Sequence, residues 1–545
     1  MKKLLNAAEN RKGGKLFNFR PLLFAAAFFS FGIVFAYAHM FLHVSLWWSA
    51  AAIPVFFTAV FLSAEKGKAW KRALCLLFLF ALGMNCFARE LRDFRELDYY
   101  EGEHTVIGTV TEKAEYEKSA RLTFSGLYID GKKTEGKFVA YMGYPDADSL
   151  KLADKAVFVG RLETNTDLSG EYGLKSREIG EEIRYAGTIS DFSVVGRSPD
   201  VFLRFRARMR QRIYAGMDSD SAAVAYALLT GDSSGIETGL LENIRAGGIA
   251  HIFAVSGLHI GALYAFCLLI ADKTKMYRLP KVARMLFVAA VVLCYGGVCG
   301  FSASVVRASV MCLIGYAFRL SGVKYDSLES IGVAAIVILF LRPVSLFDAG
   351  FQLSFGACFS ISAFRHSFSC ALNRIFPEHC IKCKDVADFE NDQRADGIAE
   401  RMRKACVSFL AVTLSAQVGT LPVLLIRFGG ISLWSLLLNC VFVPLAGAIF
   451  SFLLAAVLIA ALLPVFFAPL ILYIPSMVLS AALLVFYAFD FSVVLSEIKF
   501  GKAALPYYGF FIVVSDKMKL GGKKKYGLIF LLLFIFALSV SLMNA

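Results

Sequence analysis

Charged residues are scarce in this sequence. Only 18% of its 545 residues are charged and 57% are hydrophobic, whereas soluble domains have about 25% charged residues. This composition excludes an ordinary soluble protein and predicts a polytopic α-helical membrane protein. The formal net charge of +14 is expected mainly in cytoplasmic loops, so it gives little information about ligands.

Recognisable catalytic motifs are also lacking. None of the seven histidines lies beyond His379, and no His-x-His-x-Asp-His cluster, P-loop or Gly-x-Ser-x-Gly elbow occurs. The twelve cysteines lie mostly in apolar runs, and residues 100–200 contain none, so no disulfide framework is indicated. One Cys-x-x-Cys pair, Cys380 and Cys383, supplies half the ligands of a typical zinc site. We therefore expect a protein that is not an enzyme and has no cofactor and no metal site.

Three predicted spans begin the chain, at residues 21–41, 45–63 and 70–88, each close to the roughly 20 residues that a bilayer requires. Lys and Arg precede the first span and separate the second from the third, but the linker between the first two has neither. By the positive-inside rule, the N-terminus is cytoplasmic and the third span exits outward. Residues 1–92 are thus predicted to be a cytoplasmic tail with three transmembrane helices.

The next unit, residues 93–198, has the short β-branched and aromatic runs of a β domain. Its predicted strands are Thr105–Thr111, Arg121–Ile129, Lys137–Tyr141, Lys155–Leu162 and Ile183–Val195. Five or six short strands within 100 residues favour a small extracytoplasmic β-barrel, with an OB-like fold as the leading candidate.

OB-folds often bind single strands through a basic groove and stacking aromatics. Residues 101–197, however, carry 13 Lys and Arg against 17 Asp and Glu, a net charge of about −4. Since a basic footprint is missing, any DNA binding by this domain is predicted to be local, through Lys132, Lys133 and Lys137. A role in positioning or assembly is an equal alternative.

Residues 199–250 are predicted to form amphipathic and short interfacial helices. The stretch Phe202–Ile213 contains six apolar residues and five arginines, a pattern typical of a helix against anionic lipid headgroups. Contact with DNA is the alternative. Two short helices are predicted to follow, at Ser219–Leu229 and Gly239–Ala246, on either side of a turn at Thr230–Gly235.

Most of the remaining chain is predicted to lie in the membrane. Residues 251–515 form the main transmembrane domain, and residues 516–545 form a basic loop with a last span. The predicted spans are 251–271, 285–301, 303–320, 328–341, 346–363, 404–427, 433–462, 466–490 and 526–543. Segment 503–515 is ambiguous, so the predicted total is 11–13 spans. The basic loops 272–284 and 516–525 are expected to be cytoplasmic.

Polar residues in these apolar runs are the candidate functional residues, because ionisable groups at membrane depth usually face a protein interior or a hydrated cavity. His251 and His259 lie eight positions apart, about 80° around a regular helix, and would share one broad face. Gly257 and Gly261 form a small-xxx-small pair that allows another helix to approach closely. The alternative is a tight helix crossing in which both histidines are hydrogen-bonded inside the bundle.

Arg307 lies within a predicted span, where an arginine costs about 2.5–3.5 kcal/mol on insertion scales. That cost is tolerable if the side chain faces a cavity, a carboxylate or an anionic ligand. A structural ion pair with Asp232 or Asp348 is the alternative to a functional role. The other polar side chains in apolar runs are Gln352, Ser354, Gln417 and Asn439.

Several ordered motifs resemble the ComEC family of competence proteins. The first of them are Ala227–Gly235, Arg245–His251 and Ala254–Gly261. The others, in chain order, are Ser304–Ser309, Arg342–Phe355, Ser415–Pro422 and Asn439–Pro444. The resemblance covers residues 220–450 strongly, and the N-terminal spans and the β domain more loosely.

The resemblance implies a channel in the bacterial cytoplasmic (inner) membrane that imports one DNA strand during natural transformation. The residues implied by position to line or shape the path are His251, Ser256, His259, Arg307, Gln352 and Gln417, with Asp232 bracing its opening. The implied partners are single-stranded DNA, membrane lipids, a DNA receptor outside the cell and a helicase or single-strand-binding protein inside. A homo-oligomer is left open.

Many family members also carry a C-terminal metallo-β-lactamase-like domain, proposed to cut the strand that is not transported. The sequence to Ala545 lacks the histidine cluster of such a domain, so a separate nuclease acting in trans is expected.

The alternative function is an intramembrane hydrolase, or a transporter of another substrate, that uses His251, Ser256 and His259. A hydrolytic serine needs a base within about 3 Å. Residues 251 and 256 would lie about 140° apart on a regular helix, so this arrangement requires a break in the helix at Gly257.

Overall fold

The structure of the protein is a computed structural model that describes most of the chain. The described residues are 20–41, 69–95, 99–115, 119–165, 169–170, 173–253, 255, 257–273, 278–322, 326–375, 398–428, 430–432, 434–489, 494–496 and 507. Predicted spans 45–63 and 526–543, the Cys380–Cys383 pair and, apart from Tyr507, segment 503–515 lie outside them.

Two N-terminal helices, α1 (Pro21–Phe41) and α2 (Ala69–Arg95), pack against each other. A Cβ added to Gly32 or to Gly83 would overlap a backbone carbonyl oxygen of the other helix. The two backbones are therefore in direct contact at these glycines, which is the packing that small residues allow between membrane helices.

The helices α1 and α2 run parallel. Near their first turns, Leu76 of α2 packs against Phe24 of α1. At their last turns, the guanidinium of Arg95 lies 6.0 Å from the centroid of the Phe41 ring. Their C-terminal ends therefore lie on the same side of the molecule.

The segment after α2 forms a β domain. Its elements are β1 (Gly102–Glu115), β2 (Ser119–Ile129), β3 (Lys132–Lys133), β4 (Lys137–Gly143), α3 (Asp146–Ser149), β5 (Asp154–Thr164), β6 (Ser169–Gly170), β7 (Gly173–Leu174), α4 (Ser176–Gly180) and β8 (Ile183–Arg197). Six strands form one sheet in the order β1-β5-β8-β4-β2-β3, β1 also pairs with β2, and β6 and β7 form a separate pair. The pairing of β4 with β8 is parallel, and the other pairings in the large sheet are antiparallel. The five predicted strands are confirmed as β1, β2, β4, β5 and β8.

The core of the β domain is aromatic. Phe124, Phe138 and Phe158 come from β2, β4 and β5 and are fully buried. Their ring centroids lie 4.6–6.0 Å apart, within the range in which aromatic pairs attract each other. Burying these three rings gives the domain a hydrophobic core of its own.

Three helices, α5 (Val201–Gly216), α6 (Ser219–Thr230) and α7 (Thr238–Ala246), follow the β domain. Asp200 and Asp218 precede α5 and α6, and each side chain accepts backbone N–H hydrogen bonds from the first turn of its helix. These carboxylates are N-caps, which satisfy donors that the helix itself leaves unpaired. The two predicted short helices are confirmed as α6 and α7.

The rest of the described chain is mainly helical. Its helices are α8 (Gly257–Lys273), α9 (Lys281–Val298), α10 (Ala303–Ser321), α11 (Ser327–Leu341), α12 (Ala349–Ile375), α13 (Ile398–Phe428), α14 (Ser435–Leu462) and α15 (Ala468–Ala488). Short strands β9 (Gly430–Ser432) and β10 (Val494–Ser496) pair with each other. Turns of 3₁₀ helix lie at Ala250–Ile252, Pro343–Phe347 and Val465–Phe467.

Eight helical segments in the described part of the chain are long and apolar enough to cross a membrane. They correspond to α1, α2, α8, α9, α10, α13, α14 and α15. Helix α11 is apolar but has 15 residues, fewer than the roughly 20 that a bilayer requires, and α12 is not among the eight. The protein is therefore a multi-pass membrane protein, and its described part contains fewer such helices than the 11–13 predicted for the whole chain.

Candidate functional site

Arg307, in the second turn of α10, is buried, with only 5% of the residue exposed. Its guanidinium carbon lies 5.8 Å from the centroid of the Phe355 ring in α12. One turn earlier on α10, the hydroxyl of Ser304 lies 3.4 Å from that of Ser354 in α12. Arg307 therefore lies at a contact between α10 and α12 that also contains two hydroxyl groups.

The guanidinium of Arg307 is incompletely hydrogen-bonded. Its Nε and Nη1 atoms are buried and bond to no atom in the described part of the chain. A buried donor without an acceptor costs about 1–3 kcal/mol, and a charged donor costs more. An anionic ligand whose oxygens reached this contact would supply the acceptors and remove that cost.

The two acids predicted as structural partners of Arg307 have other contacts. Asp232 pairs with Arg206 of α5, at 3.4 Å between Oδ2 and Nη2. Asp348 accepts the backbone N–H of Gly350 at 2.5 Å, at the start of α12. Among the described residues, no ion pair joins Arg307 to either acid, so the structural alternative finds no support.

Asp232 connects three parts of the protein. It follows Gly231, which ends α6 in the left-handed conformation with φ +81°. Its Oδ1 accepts the backbone N–H of Ser234 at 3.1 Å, and the hydroxyl of Ser234 donates to the carbonyl of Lys113 in β1. The turn after α6 thus holds both α5 and the end of β1.

Two of the five arginines of α5 form ion pairs within the protein. Besides Arg206, Arg210 pairs with Glu115 at the end of β1, at 2.8 Å. Arg204 and Arg208, by contrast, are exposed. Residues four apart share one side of a helix, so 206 and 210 lie on the β-domain side and 204 and 208 lie on another. The contact with lipid headgroups stays a prediction, and Arg204 and Arg208 are the exposed arginines that could make it.

Reversing the charge at position 210 should loosen the β domain from α5. Arg210→Glu places two carboxylates together, which should weaken the docking of the β domain on α5 by about 1–3 kcal/mol. We therefore expect a protease to cleave the linker 198–200 faster in the full chain in membranes. Glu115→Arg should have the same effect. The double variant restores opposite charges and should regain most of the protection. A double variant as sensitive as either single variant would show that the pair does not dock the domain.

Gln352 and Gln417 donate hydrogen bonds within the protein. Nε2 of Gln352 donates to the carbonyl of Leu346 at 3.0 Å, and Gln352 lies one turn before the ring that contacts Arg307. Nε2 of Gln417 donates to the hydroxyl of Ser435 at 2.8 Å, which joins α13 to the start of α14. The structure therefore places Gln352 beside the Arg307 contact and Gln417 at a different helix contact.

His251 and His259 do not share a helix face. His251 is exposed and lies in a 3₁₀ turn, whereas α8 begins at Gly257. His259 is fully buried, with its ring edge-on to Phe450 of α14 at 4.6 Å. The predicted shared face is wrong because a rotation of 100° per residue applies only within one continuous α-helix. Ser256, the third predicted member of this group, lies outside the described residues.

No helix of the described part of the chain approaches Gly257 or Gly261 closely, so the predicted close approach stays a prediction. Both glycines are exposed, and a Cβ on either would meet no heavy atom within 4 Å in the described part of the chain. A close crossing lies instead between α12 and α13, where a Cβ on Gly356 would be 2.8 Å from the carbonyl oxygen of Gly419. The spacing of two glycines shows that they share a face, but it does not show which helix packs there.

The family model described as "Competence protein" matches residues 228–519, more than half of the chain. The chain belongs to the competence protein family. The resemblance of its motifs to ComEC-type competence proteins is thereby confirmed.

One curated competence relative is the ComE operon protein 3 of Bacillus subtilis (strain 168). It is 28% identical over 226 residues, which are 41% of this chain and 25% of the relative. The chain thus covers about a quarter of the length of this relative. No solved structure matches the chain.

The competence-family match includes Asp232, Arg307 and the other predicted path residues, but it does not include the β domain. The predicted DNA-binding lysines, Lys132, Lys133 and Lys137, therefore lie outside it. They lie on β3 and at the start of β4, where Lys133 is opposite the partly exposed Tyr128 of β2.

Sequence reasoning missed two buried serines of the competence domain. Ser360 of α12 and Ser432 of β9 are buried, and their hydroxyl oxygens have no hydrogen-bond partner in the described part of the chain. Ser432 lies beside the Gln417 contact, since Ser435 donates to its carbonyl at 2.8 Å. Serines in apolar helices commonly bond to the preceding turn, so the sequence gives no signal for Ser360.

Proposed function

We propose that this competence protein forms a membrane conduit for single-stranded DNA during natural transformation. The observation that carries the proposal is the buried guanidinium of Arg307, whose Nε and Nη1 have no acceptor among the described residues. Each nucleotide of a DNA strand brings a phosphate, and phosphate oxygens match the planar donor fork of arginine. A strand passing between α10 and α12 would satisfy these donors.

The groups around Arg307 suit such a path. A pore for a polyanion needs a hydrated lining with positive or hydrogen-bonding groups. Ser304 and Ser354 place two hydroxyls at the same helix contact, and Gln352 lies one turn from Phe355 on α12. All four polar residues lie within the competence-family match.

The proposed conduit is passive and is not itself an enzyme. We propose that a DNA receptor outside the cell delivers the strand and that a helicase or single-strand-binding protein inside the cell pulls it. A separate nuclease would degrade the complementary strand. Assembly into a homo-oligomer is compatible with this scheme and is not required by it.

We further propose that the β domain is a small OB-like barrel. Support comes from its strand pairings, which form the circuit β1-β5-β8-β4-β2 and return to β1 through the β1–β2 pairing. Exposed tyrosines next to basic residues would give it a local site for single strands, namely Tyr128 opposite Lys133 and Tyr141 opposite Arg121.

We propose that the protein lies in the bacterial cytoplasmic membrane with a cytoplasmic N-terminus and an extracytoplasmic β domain. Arg20, at the start of α1, pairs with Asp326, at the start of α11, at 2.9 Å, so these two helices begin on the same side. Alternating directions through α8–α11 would bring the end of α8 and the start of α9 to that side as well. This agrees with the positive-inside rule. The parallel helices α1 and α2 fit one further crossing between them.

The hydrolase alternative requires a break in the helix at Gly257, and α8 does begin there, but the other contacts of the described residues do not support it. The carboxylate of Asp232 is bonded to Arg206 and to the backbone of Ser234, so it is not oriented by these contacts toward a histidine. The ring of His259 is buried against Phe450 of α14, whereas His251 is exposed in a 3₁₀ turn.

The proposal is tested by uptake of marked DNA in a host strain from which the gene has been deleted. The full chain supplied in trans should restore transformation, and Ser256→Ala should restore it equally, because a conduit needs no nucleophile. If the chain reached the membrane without restoring transformation, the conduit proposal would fail. A loss confined to Ser256→Ala would favour the hydrolase.

A further inference from the structure

A cavity of 430 Å³ lies where the turn between α5 and α6 packs against α15. Its lining includes Met217, Asp218, Tyr473, Ser476, Met477 and Ser480. The α5–α6 side of the cavity precedes residue 228, where the competence-family match begins. The cavity is also built from different helices than the contact around Arg307.

Asp218 is the charged group of this cavity. Its Oδ2 accepts the backbone N–H of Ser221 at 3.1 Å, and its Oδ1 accepts the hydroxyls of Ser476 and Ser480 at 3.1 and 3.3 Å. Burial raises the pKa of Asp218, but the hydrogen bonds from Ser221 and Ser476 outweigh burial and bring the pKa below its ordinary value. The carboxylate is therefore ionised at neutral pH.

The donors around Asp218 are neutral, and none of the residues that line the cavity is cationic. The backbone N–H of Ser221 and the neighbouring serine hydroxyls fix the orientation of the carboxylate. A cation that entered the cavity would meet a carboxylate already held in position, and little side-chain entropy would be lost on binding.

The rest of the lining selects among cations. Bound Mg²⁺ or Ca²⁺ needs about six or more oxygen ligands, whereas the cavity offers one carboxylate whose neighbouring hydroxyls already donate to it. Its volume falls in the range of small-molecule pockets, about 300–1,000 Å³. Tyr473 provides an aromatic ring for a cation, and Met217 and Met477 provide adaptable apolar surface. This lining suits an ammonium group attached to a short hydrocarbon chain.

We propose that this cavity is a binding site for a small organic ammonium compound, with the ammonium group against Asp218 and the hydrocarbon chain against Tyr473, Met217 and Met477. Occupation would join the α5–α6 turn to α15. The site is independent of the DNA path, and its failure would leave the conduit proposal unchanged.

The test uses the full chain purified in lipid nanodiscs, with pentylammonium chloride as the probe and 1-pentanol and sodium chloride as controls. Pentylammonium should raise the unfolding temperature in a saturable manner, because a ligand that binds only the folded state stabilises it. Neither control should do so. If 1-pentanol raised the unfolding temperature as much as pentylammonium does, the cavity would bind only the hydrocarbon chain. If sodium chloride did so, the cavity would bind a simple cation. Either result would overturn the proposal.

Two variants complete the test. Asp218→Asn keeps the N-cap, since Asn and Asp cap helices equally well, but it removes the charge, so affinity for pentylammonium should fall at least tenfold. Tyr473 is 66% exposed, so Tyr473→Ala should fold normally and weaken binding several-fold. Unchanged affinity in Asp218→Asn would overturn the proposal.

Discussion

Arg307→Ala is expected to lower DNA uptake by roughly 100-fold or more, while the protein still reaches the membrane. A hydrogen bond to a charged group contributes about 1.5–3 kcal/mol, and an upper value near 3 kcal/mol corresponds to a rate factor of roughly 100. Every phosphate that passes the contact between α10 and α12 would lose this interaction. The measurement is the transformation frequency with marked DNA, normalised to the amount of protein in the membrane.

The stability of the same position separates a ligand site from a structural one. Nε and Nη1 of Arg307 have no partner among the described residues, so the folded protein loses no hydrogen bond there when the side chain is replaced. Arg307→Met, which keeps most of the volume, should unfold at the same temperature as the wild type or at a higher one. Removal of an arginine that holds the fold together would lower that temperature.

A matched control lies on the same helix. Arg319, in the last turn of α10, is exposed, and Arg319→Ala should leave uptake within a few-fold of the wild type. If both arginines were equally important for uptake, the net charge of α10 would explain the loss, and the contact between Arg307 and Phe355 would have no special role.

The second large effect is expected at the crossing of α12 and α13. A Cβ on Gly419 would overlap the carbonyl oxygen of Gly356, and one on Gly356 would lie 2.8 Å from that of Gly419. Because the obstacle is backbone, the helices must separate along their length. Gly419→Ala should therefore cost at least the 1–3 kcal/mol that is typical of overpacking and sharply reduce the folded protein recovered from membranes.

The control for this variant is the glycine pair that the sequence favoured. Gly261 lies in another span with no heavy atom within 4 Å of an added Cβ in the described part of the chain. Gly261→Ala should be neutral or slightly stabilising, since alanine favours the helix by about 1 kcal/mol over glycine. Equal yields of Gly419→Ala and Gly261→Ala, by fluorescence-detected chromatography, would contradict the α12–α13 crossing.

Much of the fold follows from local patterns. Long apolar runs predicted the described membrane helices, and short β-branched runs predicted β1, β2, β4, β5 and β8. Both signals depend on residues close together in the chain, and each element buries a face that its own sequence defines. The family also followed from local motifs, since the match over residues 228–519 contains most of them.

The partners of polar residues were not predictable in the same way. Asp232 pairs with Arg206, and Arg210 pairs with Glu115. The two residues of each pair are far apart in the chain, so the spacing of residues in the sequence does not predict these contacts. The error at His251 and His259 arose because helix periodicity was extended across a 3₁₀ turn. The polarity of Arg307 was visible in the sequence, but its missing acceptors became evident only when α12 was placed beside it.

The most direct test of the conduit is site-specific photocrosslinking during uptake of labelled DNA. A photoreactive residue at position 354, beside Arg307, should crosslink to single-stranded DNA in transit, and the same residue at position 437 should not, because Leu437 is 62% exposed on α14 and expected to face lipid. Crosslinks to DNA at 354 and none at 437 are the result that the account predicts. No DNA crosslink at 354 in cells that are importing DNA would contradict it.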